Sequence, residues 1–380
     1  MYYDRSKPFL APLKDIYRLN KPGSTKETYH VVLDVNGSGI VFNVGDSIAI
    51  LPSHDLELVQ RTLDALHASG DEIIRDKRSL EERSFHEHLR SRANITKLHK
   101  SLLEAIEAKE RNLVKKIHLQ ELIEPKNHDK FLAYAATHEV WDCLLDHPEV
   151  LFSVQEIADL LPPLLPRFYS IASSLAAAPN EVHLTVAMSD FESNGKKRYG
   201  VGTHFLCRLV KEHNLQVPLY IHPSNGFTLP ENKHASIIMV GPGTGIAPFR
   251  AFMQQRIFDQ TLGKNWLFFG ECTRKHDYFY EEFWQDLHAK GMLRLDLAFS
   301  RDAAHKTYVQ HKMLEQKMEL WQWLEEGAHF YVCGDLHHMA KDVDVALHAI
   351  VQECGLLSDL ETKAYIKNLK REKRYLRDVY

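Results

Sequence analysis

The stretch Ile237-Ile238-Met239-Val240-Gly241-Pro242-Gly243-Thr244-Gly245-Ile246-Ala247-Pro248 decides the fold of the C-terminal part of this chain. Its apolar residues predict a buried strand, its glycines a tight turn, and Pro248 suits the first turn of a helix. Glycines let the backbone approach a phosphate, and a helix N-terminus offers it free N–H groups and positive potential. The spacing is G-x-G-x-G, not the G-x-G-x-x-G of the dinucleotide fingerprint, so a tight turn without a ligand stays open as the alternative.

From Lys233 onward the sequence alternates between apolar strands and helical segments. The predicted strands are 236–240, 266–269, 294–299 and 329–332, and the predicted helices are 248–260, 278–290, 308–324 and 338–354. Strands that alternate with helices of this length predict a parallel, doubly wound α/β sheet. We therefore expect a nucleotide-binding domain over residues 233–380.

The N-terminal part has a different organisation. Short strands separated by turn residues are predicted between Lys7 and Ile50, including one at Ile40-Val41-Phe42, and they resume at 167–172, 181–188 and 219–222. Such a pattern predicts an antiparallel β barrel, with a β sandwich as the alternative, built from residues 1–52 and 161–232. Residues 53–160 are rich in Leu, Glu, Lys and Ala at helical spacing, which predicts a helical connecting insertion.

Composition excludes several kinds of protein. The 380 residues include 47 Lys and Arg against 51 Asp and Glu, so nothing indicates a nucleic-acid partner. Charges in Met1–Lys7 argue against a signal peptide, and no run of about 18 apolar residues predicts a membrane span. The five cysteines are scattered without a Cys-x-x-Cys pair, which predicts no metal site and a cytoplasmic location.

Basic residues follow the third strand of the predicted parallel sheet. Ser300 and Arg301 stand directly after it, and the run Lys306–Gln310 comes soon afterwards. A ribose 2′-phosphate needs cations and hydroxyl donors, whereas a free 2′-hydroxyl needs a carboxylate acceptor. These residues therefore favour NADPH over NADH, although Asp302 could compete and a solvated basic loop remains the alternative.

Three further segments carry weaker signals. Cys333 follows the fourth strand, where a lone cysteine is a core residue or lies near a nicotinamide. In Arg167–Ser174 an arginine suits a pyrophosphate and Tyr169 suits stacking on a flavin. The segment Gly200–Leu206 has the glycines of a phosphate-binding helix start, and an ordinary strand and a capped helix are the alternatives for these two segments.

In this order and spacing the segments resemble the ferredoxin–NADP reductase-like diflavin reductases, and among them the FAD- and NADPH-binding part of sulfite reductase flavoprotein subunits. The resemblance covers nearly the whole chain and is densest in residues 241–256, 265–270, 321–335 and 374–380. It implies FAD and NADPH as cofactors and hydride transfer from the nicotinamide to the flavin.

The resemblance also implies roles for individual residues. The residues implied for FAD are Arg167, Phe168, Tyr169, Ser170, Thr185, Val186, Ala187, Phe191, Gly200, Val201, Gly202 and Thr203. Those for the nucleotide are Gly241, Gly243, Thr244, Gly245, Ser300, Arg301, Lys306, Thr307, Tyr308, Val309, Gln310 and Asp342. Ser170, Cys333 and Asp378 match the hydride-transfer group, and Tyr380 matches the aromatic residue that covers the flavin. Phe191 stands where the family has a tyrosine, so stacking could persist without a hydroxyl contact.

One departure from the family concerns the next electron carrier. The close relatives have a flavodoxin-like FMN domain before the segment that begins here near Lys7, and we expect this chain to lack one. The expected acceptor is therefore a separate protein, such as a flavodoxin-like or sirohaem protein of a sulfite reductase. A stand-alone flavodoxin or ferredoxin reductase, and a non-catalytic FAD-binding subunit, are the alternatives.

Overall fold

A computed structural model describes residues 3–193, 195–261 and 263–380. Contacts divide the chain into two compact units. The first contains the chain up to Ala49, Phe168–Met188 and Gln216–Tyr380, and the second contains Ile50–Arg167 and Ser189–Leu215. The domain boundaries expected from the sequence stay a prediction.

Strands and helices are numbered in chain order. The strands are β1 (Phe9–Ala11), β2 (Leu13–Arg18), β3 (Thr28–Asp34), β4 (Ser47–Ile50), β5 (Ile73–Arg75), β6 (Glu82–Ser84), β7 (Arg167–Ser170), β8 (Glu181–Ala187), β9 (Asp190–Ser193), β10 (Lys196–Tyr199), β11 (Val217–His222), β12 (Ile237–Val240), β13 (Asn265–Glu271), β14 (Arg294–Phe299), β15 (His329–Gly334) and β16 (Tyr375–Val379). The helices are α1 (Leu56–Ala65), α2 (Phe85–Ser91), α3 (Lys100–Lys109), α4 (Leu113–Ile123), α5 (His128–Thr137), α6 (Val140–Asp146), α7 (Val154–Leu160), α8 (Val201–His204), α9 (Val210–Glu212), α10 (Ala247–Phe258), α11 (Arg274–Asp277), α12 (Glu281–Ala289), α13 (Val309–Glu315), α14 (Lys317–Glu325), α15 (Met339–Gly355) and α16 (Asp359–Arg371). None of the helices in the described ranges is long and apolar enough to cross a membrane.

The C-terminal part of the first unit is a parallel sheet with the order β14-β13-β12-β15-β16. All four residues of β12 are buried, as expected for a central strand covered on both faces. The chain moves outward from β12 in one direction and then returns to its other side with β15. The strand order thus reverses between β12 and β15, and this place is called the switch point. Ligands of such sheets bind there, outside the carboxyl ends of the strands. The predicted doubly wound sheet is confirmed.

Three details of this sheet differ from the prediction. The helix expected over 308–324 is interrupted at Gln316, whose backbone departs from helical geometry, so that α13 and α14 are separate. The helix expected from Tyr278 begins only at Glu281, because Tyr280 is left-handed. Helix α16 and edge strand β16 were not predicted from periodicity, since charges at Arg377 and Asp378 interrupt the apolar pattern of that strand.

The N-terminal strands form two small sheets, with orders β1-β11-β4-β7 and β2-β3-β8. An isolated bridge at Ile171 and Leu184 links the end of β7 to β8. The closed barrel expected from the sequence is not detected among the described residues, because β7 has four residues and its ladder stops there. The broader prediction, antiparallel sheets followed by an α/β domain, is confirmed.

The strand expected at Ile40–Phe42 was wrong. The Ser38 hydroxyl donates to Val35 O at 2.5 Å and accepts from Ile40 N at 2.9 Å, and these bonds hold the backbone in a turn. The Val41 side chain is 77% exposed and has no sheet to pack on. Local side-chain bonds of this kind compete with strand pairing.

The second unit contains helices α1–α7 and the hairpins β5-β6 and β9-β10. Its core is an apolar cluster that includes Leu63, Phe85, Leu103 and Leu119. The helical character expected for residues 53–160 is therefore confirmed. A near-continuous helical segment, formed by α8, a π turn over Phe205–Leu209, and α9, follows the second hairpin.

Candidate functional sites at the sheet edge and in the helical unit

The glycine loop after β12 packs directly against the backbone of β15. A Cβ on Gly245 would lie 2.1 Å from Cys333 O, and a Cβ on Gly241 would lie 2.5 Å from Gly245 O. These distances leave no room for a side chain, so close backbone contact requires glycine at both positions. The loop therefore brings the N-terminal end of α10 beside the carboxyl end of β15.

The glycine loop leads into α10 as the sequence predicted. A short 3₁₀ turn over Gly243–Ile246 precedes Ala247, and Pro248 lies in the first helical turn. The first N–H groups of a helix lack intrahelical acceptors, and the helix dipole adds positive potential there. This end of the helix can receive a phosphate group.

Side chains from three strands meet beside this loop. Ser170 Oγ, from β7, donates to Asp378 Oδ2, from β16, at 2.7 Å. Cys333 Sγ, from β15, lies 3.9 Å from the same oxygen. Burial, together with the negative charge of Asp378, raises the pKa of the Cys333 thiol well above its ordinary value. The thiol therefore stays protonated at neutral pH, and the sequence-predicted group of three lies together.

Tyr380 is held at the same edge by three contacts. Its hydroxyl lies 2.9 Å from Thr244 Oγ1, its N–H donates to Gly334 O at 3.1 Å, and its carbonyl accepts from Leu336 N at 3.0 Å. The residue is nevertheless 59% exposed. These contacts anchor Tyr380 at the sheet edge, while part of the residue stays open to solvent.

An open cleft of about 1120 Å³ lies along the carboxyl ends of β12, β13 and β14. It brings together these sequence-predicted residues: Gly243, Ser300, Tyr308, Val309, Gln310 and Asp342. The Gln310 amide donates to Asp342 Oδ2 at 3.1 Å, which ties the start of α13 to α15. Cleft walls contributed by several strand ends are the usual nucleotide site of this sheet type.

Arg301, Lys306 and Thr307 do not line the cleft but lie on the loop that borders it. Arg301 and Lys306 are exposed, and neither forms an ion pair with a residue in the described part of the chain. The Asp302 carboxylate accepts from Arg274 N at 3.1 and 3.2 Å. Asp302 is thus engaged with the protein, and the two cations are the charges that this loop offers to a ligand.

Lys26 and His338 also line the cleft, and the sequence did not predict them as site residues. Lys26 Nζ donates to the Glu271 carboxylate at 2.8 and 3.0 Å, and His338 stands at the N-terminus of α15. Lys26 lies far away in sequence, in the connection between β2 and β3, and no local motif marks it. Only the fold brings it to this edge.

Glu271, Cys272 and Asp277 lie close enough to share a metal ion, with possible ligand atoms within 4.8 Å of one another. Glu271 is already paired with Lys26. The Asp277 carboxylate accepts from Asn20 at 2.8 Å and Ser24 at 2.5 Å. We assign these groups to the hydrogen bonds that they make, and no metal role is proposed for them.

On β7 the predicted FAD residues differ in their surroundings. Arg167 donates to Leu165 O at 2.7 Å, so its guanidinium is turned toward its own chain. Phe168 is 54% exposed and its ring lies 4.8 Å from the His222 ring. Tyr169 is partly buried. The strand thus presents aromatic surface, whereas its arginine would have to turn to meet a phosphate.

On β8 the residues predicted for FAD can contact a ligand with their backbone N–H and C=O groups rather than with their side chains. Thr185 and Val186 are buried, and β8 is an edge strand of its sheet. His183 accepts from Ala172 N at 2.8 Å and donates to Ser173 Oγ at 3.1 Å, both on the side away from β3. Backbone groups alternate along an antiparallel strand, so those of Thr185 and Ala187 also face that outer side.

In the second unit, Gly200–Thr203 lies beside a cavity of about 680 Å³. Val201 lines this cavity together with residues that the sequence did not predict for the site, among them Ser53, His54, Thr96, Trp141 and Lys196. Thr203 Oγ1 donates to Gly200 O at 3.1 Å and fixes the helix start. Phe191, on β9, is 47% exposed.

Cations surround Trp141 in this cavity. Lys196 Nζ lies 4.2 Å from the ring centroid, and the Arg61 and Arg198 guanidinium carbons lie 5.3 and 5.8 Å from it. Arg198 is buried and pairs with Glu139 at 2.9 Å and Asp142 at 2.7 Å. Its charge is balanced by the protein, and Lys196 remains as a cation that faces the cavity.

Comparison with known proteins agrees with these two nucleotide-type sites. A family model described as an FAD binding domain matches residues 2–205, more than half of the chain. A second, described as an oxidoreductase NAD-binding domain, matches residues 239–344. The fold and the sites thus define an oxidoreductase with an FAD-binding domain followed by a domain for a nicotinamide nucleotide.

The chain belongs to the FAD binding domain family. It is 40% identical over 383 residues to the sulfite reductase [NADPH] flavoprotein alpha-component of Bacillus subtilis, covering all of this chain and 62% of the relative. The proteins of the same name from Vibrio parahaemolyticus and Vibrio vulnificus are 40% and 39% identical, with 59% and 60% of their lengths covered. The chain therefore spans about three fifths of the curated relatives it matches, and the resemblance inferred from the sequence is confirmed.

Proposed function

We propose that this chain is an NADPH-dependent flavoprotein reductase that supplies electrons to a separate component of a sulfite reductase. The observation that carries the proposal is the meeting of Ser170, Cys333 and Asp378 at the switch point of the parallel sheet. Bound FAD would supply the redox chemistry, accepting a hydride equivalent from NADPH and passing electrons on. The protein's part is to bind, orient and shield the two cofactors.

Each unit contains residues that we propose for FAD. Tyr169 and Ser170 would face the flavin ring, and the outward backbone of Thr185–Ala187 would bind the same cofactor. The Gly200–Thr203 helix start and Lys196 would bind the pyrophosphate, since N–H groups and a cation both favour phosphate oxygens.

The nucleotide site would occupy the cleft along β12–β14. Gly241, Gly243, Thr244 and Gly245 would receive the pyrophosphate. The cations Arg301 and Lys306 and the hydroxyls of Ser300 and Tyr308 would bind the 2′-phosphate. The nearby Asp302 carboxylate would not repel that phosphate strongly, because it accepts a hydrogen bond from Arg274 N.

At the centre of the site the protein's groups orient one another. The Asp378 carboxylate accepts a hydrogen bond from Ser170 Oγ and so fixes the direction of that hydroxyl. Cys333 stays a neutral thiol beside the same carboxylate, and Asp378 can balance charge that develops at the transferring atom. The exposed ring of Tyr380 would cover the flavin until nicotinamide takes its place.

The acceptor is tested by reconstitution. Protein loaded with FAD is mixed with NADPH, sulfite and the haem-containing component of a sulfite reductase, and sulfide formation is measured. We expect sulfide that requires all components, and a flavodoxin is added in a parallel series. If sulfide forms only when the flavodoxin is present, the flavodoxin is the direct electron acceptor. If no sulfide forms in either series, the proposal is refuted.

A cytoplasmic location is part of the proposal. All five cysteines are free thiols, and four of them are buried. Unpaired thiols are usual in reducing compartments, where disulfides are rare.

A further inference from the structure

A chain of polar side chains in the first unit links β8 to the loop before α12. Thr185 Oγ1 lies 2.6 Å from the Tyr280 hydroxyl, which lies 2.9 Å from His30 Nδ1. His30 Nε2 lies 3.1 Å from His183 Nδ1, and His183 Nε2 lies 2.7 Å from Glu181 Oε2. The mechanism described above uses none of these side chains, and of these residues only the backbone of Thr185 enters it.

The charge states fix the direction of every hydrogen bond. Burial, with the Arg250 charge second, lowers the pKa of His30 to about 3, and burial also lowers the pKa of His183. Both rings are therefore neutral near pH 7, with one donor and one acceptor nitrogen each. Because Glu181 accepts from His183 Nε2, His183 Nδ1 must accept from His30.

The remaining bonds follow in the same way. His30 Nε2 donates, so His30 Nδ1 accepts from the Tyr280 hydroxyl. The Tyr280 oxygen is then left to accept from Thr185 Oγ1. The whole chain runs in one direction from Thr185 through Tyr280, His30 and His183 to Glu181. Each member has the single tautomer or rotamer that its neighbours require.

Tyr280 occupies a backbone conformation that tyrosine rarely adopts. Its φ and ψ are 56° and 34°, in the left-handed region that favours glycine. Such a conformation persists only where surrounding structure holds it, and it is often associated with function. The Arg250 guanidinium carbon lies 5.1 Å from the Tyr280 ring centroid, and Arg250 also donates to Ala172 O at 2.7 Å.

One end and the middle of this polar chain adjoin the candidate cofactor sites. Thr185 lies on the outer edge of β8, which we assign to FAD. Arg250 lies on α10, the helix that begins at the glycine loop. Arg250 NH1 also lies 3.4 Å from His183 Nδ1, so the nucleotide helix contacts the middle of the chain.

We propose that Tyr280, His30 and His183 are positioning residues, which hold the FAD edge of β8 in a set place relative to the nucleotide-binding sheet. The inference rests on the proposed function, because the proposed function assigns the outer edge of β8 to FAD. Its consequence is that the distance between the flavin and nicotinamide rings depends on a hydroxyl group that touches neither ring.

The test compares Tyr280→Phe and Thr185→Val with the double variant. Both changes remove a hydroxyl and keep most of the side-chain volume. Tyr365→Phe is the matched control, because its hydroxyl donates to Glu325 at 2.9 Å on α14, away from the polar chain. The measurements are FAD content, the limiting rate of flavin reduction at saturating NADPH, NADP⁺ affinity, and the change that NADP⁺ causes in the flavin absorbance spectrum.

We expect Tyr280→Phe to lower the limiting rate about tenfold, since small displacements of reacting groups carry costs of this order. NADP⁺ affinity should persist while the spectral change shrinks, because the nucleotide binds but its ring sits differently. The double variant should be no slower than the slower single variant, because both break one chain. The control Tyr365→Phe should have the limiting rate and the spectral change of the wild-type protein.

Three results would overturn the inference: a wild-type rate and spectral change in Tyr280→Phe, rate losses that multiply in the double variant, or an equal loss in Tyr365→Phe. Failure of the proposed function is distinguishable, because then NADPH would not reduce the flavin of the wild-type protein either. If FAD content falls in Tyr280→Phe, the spectral change is measured on the fraction that retains FAD.

Discussion

The edge of the parallel sheet and the cavity in the helical unit both have the features of phosphate sites, but they are built in different ways. At the sheet edge, backbone meets backbone, and Gly245 packs where a side chain would lie 2.1 Å from Cys333 O. In the helical unit, side chains from distant stretches, such as His54, Trp141 and Lys196, surround one cavity. A site made of backbone restricts residue type within one short stretch, whereas a site made of side chains leaves no local signature.

The largest expected effect is in the side-chain site. Arg198→Ala would leave Glu139 and Asp142 partly buried without their cation, and breaking a buried ion pair costs about 3–5 kcal/mol. Urea unfolding measures the loss, and FAD content should fall with it. Lys126→Ala is the control, since the side chains of Lys126 and its partner Glu124 are exposed and outside the cavity, and such pairs contribute little to stability. Equal losses in both variants would contradict the assignment.

A smaller loss of stability is expected in the backbone site. Gly245→Ala would place a methyl group against Cys333 O, and overpacking of this kind costs about 1–3 kcal/mol. NADP⁺ binding should be lost while FAD content persists, because the glycine loop belongs to the nucleotide domain. Calorimetric titration with NADP⁺ measures this. In the control Gly355→Ala the methyl group would meet the Trp321 ring at 3.0 Å, and NADP⁺ binding should persist. Retained binding in Gly245→Ala would show that the loop is only a turn.

The choice of nucleotide depends on the loop beside the cleft. The double variant Arg301→Ala and Lys306→Ala should weaken the binding of NADPH about tenfold or more per lost contact. Hydrogen bonds to charged groups contribute about 1.5–3 kcal/mol each. NADH should be affected far less, because it has no 2′-phosphate. Steady-state kinetics with both nucleotides measures the ratio. Equal losses for NADPH and NADH would refute the assigned 2′-phosphate site.

The most gradual effect, which builds up as the pH falls, concerns one buried histidine in each unit. Burial lowers the pKa of His30 to about 3 and that of His54 to about 4, whereas an unfolded histidine titrates near 6.5. The unfolded chain therefore binds more protons below pH 6.5, and stability falls as the pH drops from about 6.5 toward 4. Each histidine should lower the free energy of unfolding by roughly 1 kcal/mol for every pH unit below 6.5. Urea unfolding at several pH values measures this slope. His54→Gln should reduce the slope, and an unchanged slope would contradict its buried neutral state.

The sequence predicted those parts of the fold whose patterns are local. The apolar run 237–240, its glycines and the strand–helix alternation were sufficient for the parallel sheet. Gln316 and Tyr280 divide segments that look continuous, because backbone angles at single residues are set by packing. The closed barrel was not detected, since periodicity predicts strands but not whether their ladders meet.

The candidate site was predictable to a similar extent. Ser170, Cys333 and Asp378 lie far apart in sequence and were brought together through the family resemblance, and the structure places them within hydrogen-bonding reach. Lys26 and Trp141 carry no motif of their own, and only the fold places them beside the glycine segments. Arg301 and Lys306 were expected in the nucleotide site and lie on its border, so their roles stay a prediction.

One measurement tests the central claim, transfer of electrons from NADPH to FAD in this chain, most directly. The protein is loaded with FAD, mixed with NADPH or NADH without oxygen, and followed by stopped-flow absorbance of the flavin. We expect rapid bleaching by NADPH and much slower bleaching by NADH at equal concentration. A protein that binds FAD but keeps its oxidised spectrum with NADPH would contradict the account and favour a non-catalytic FAD-binding role.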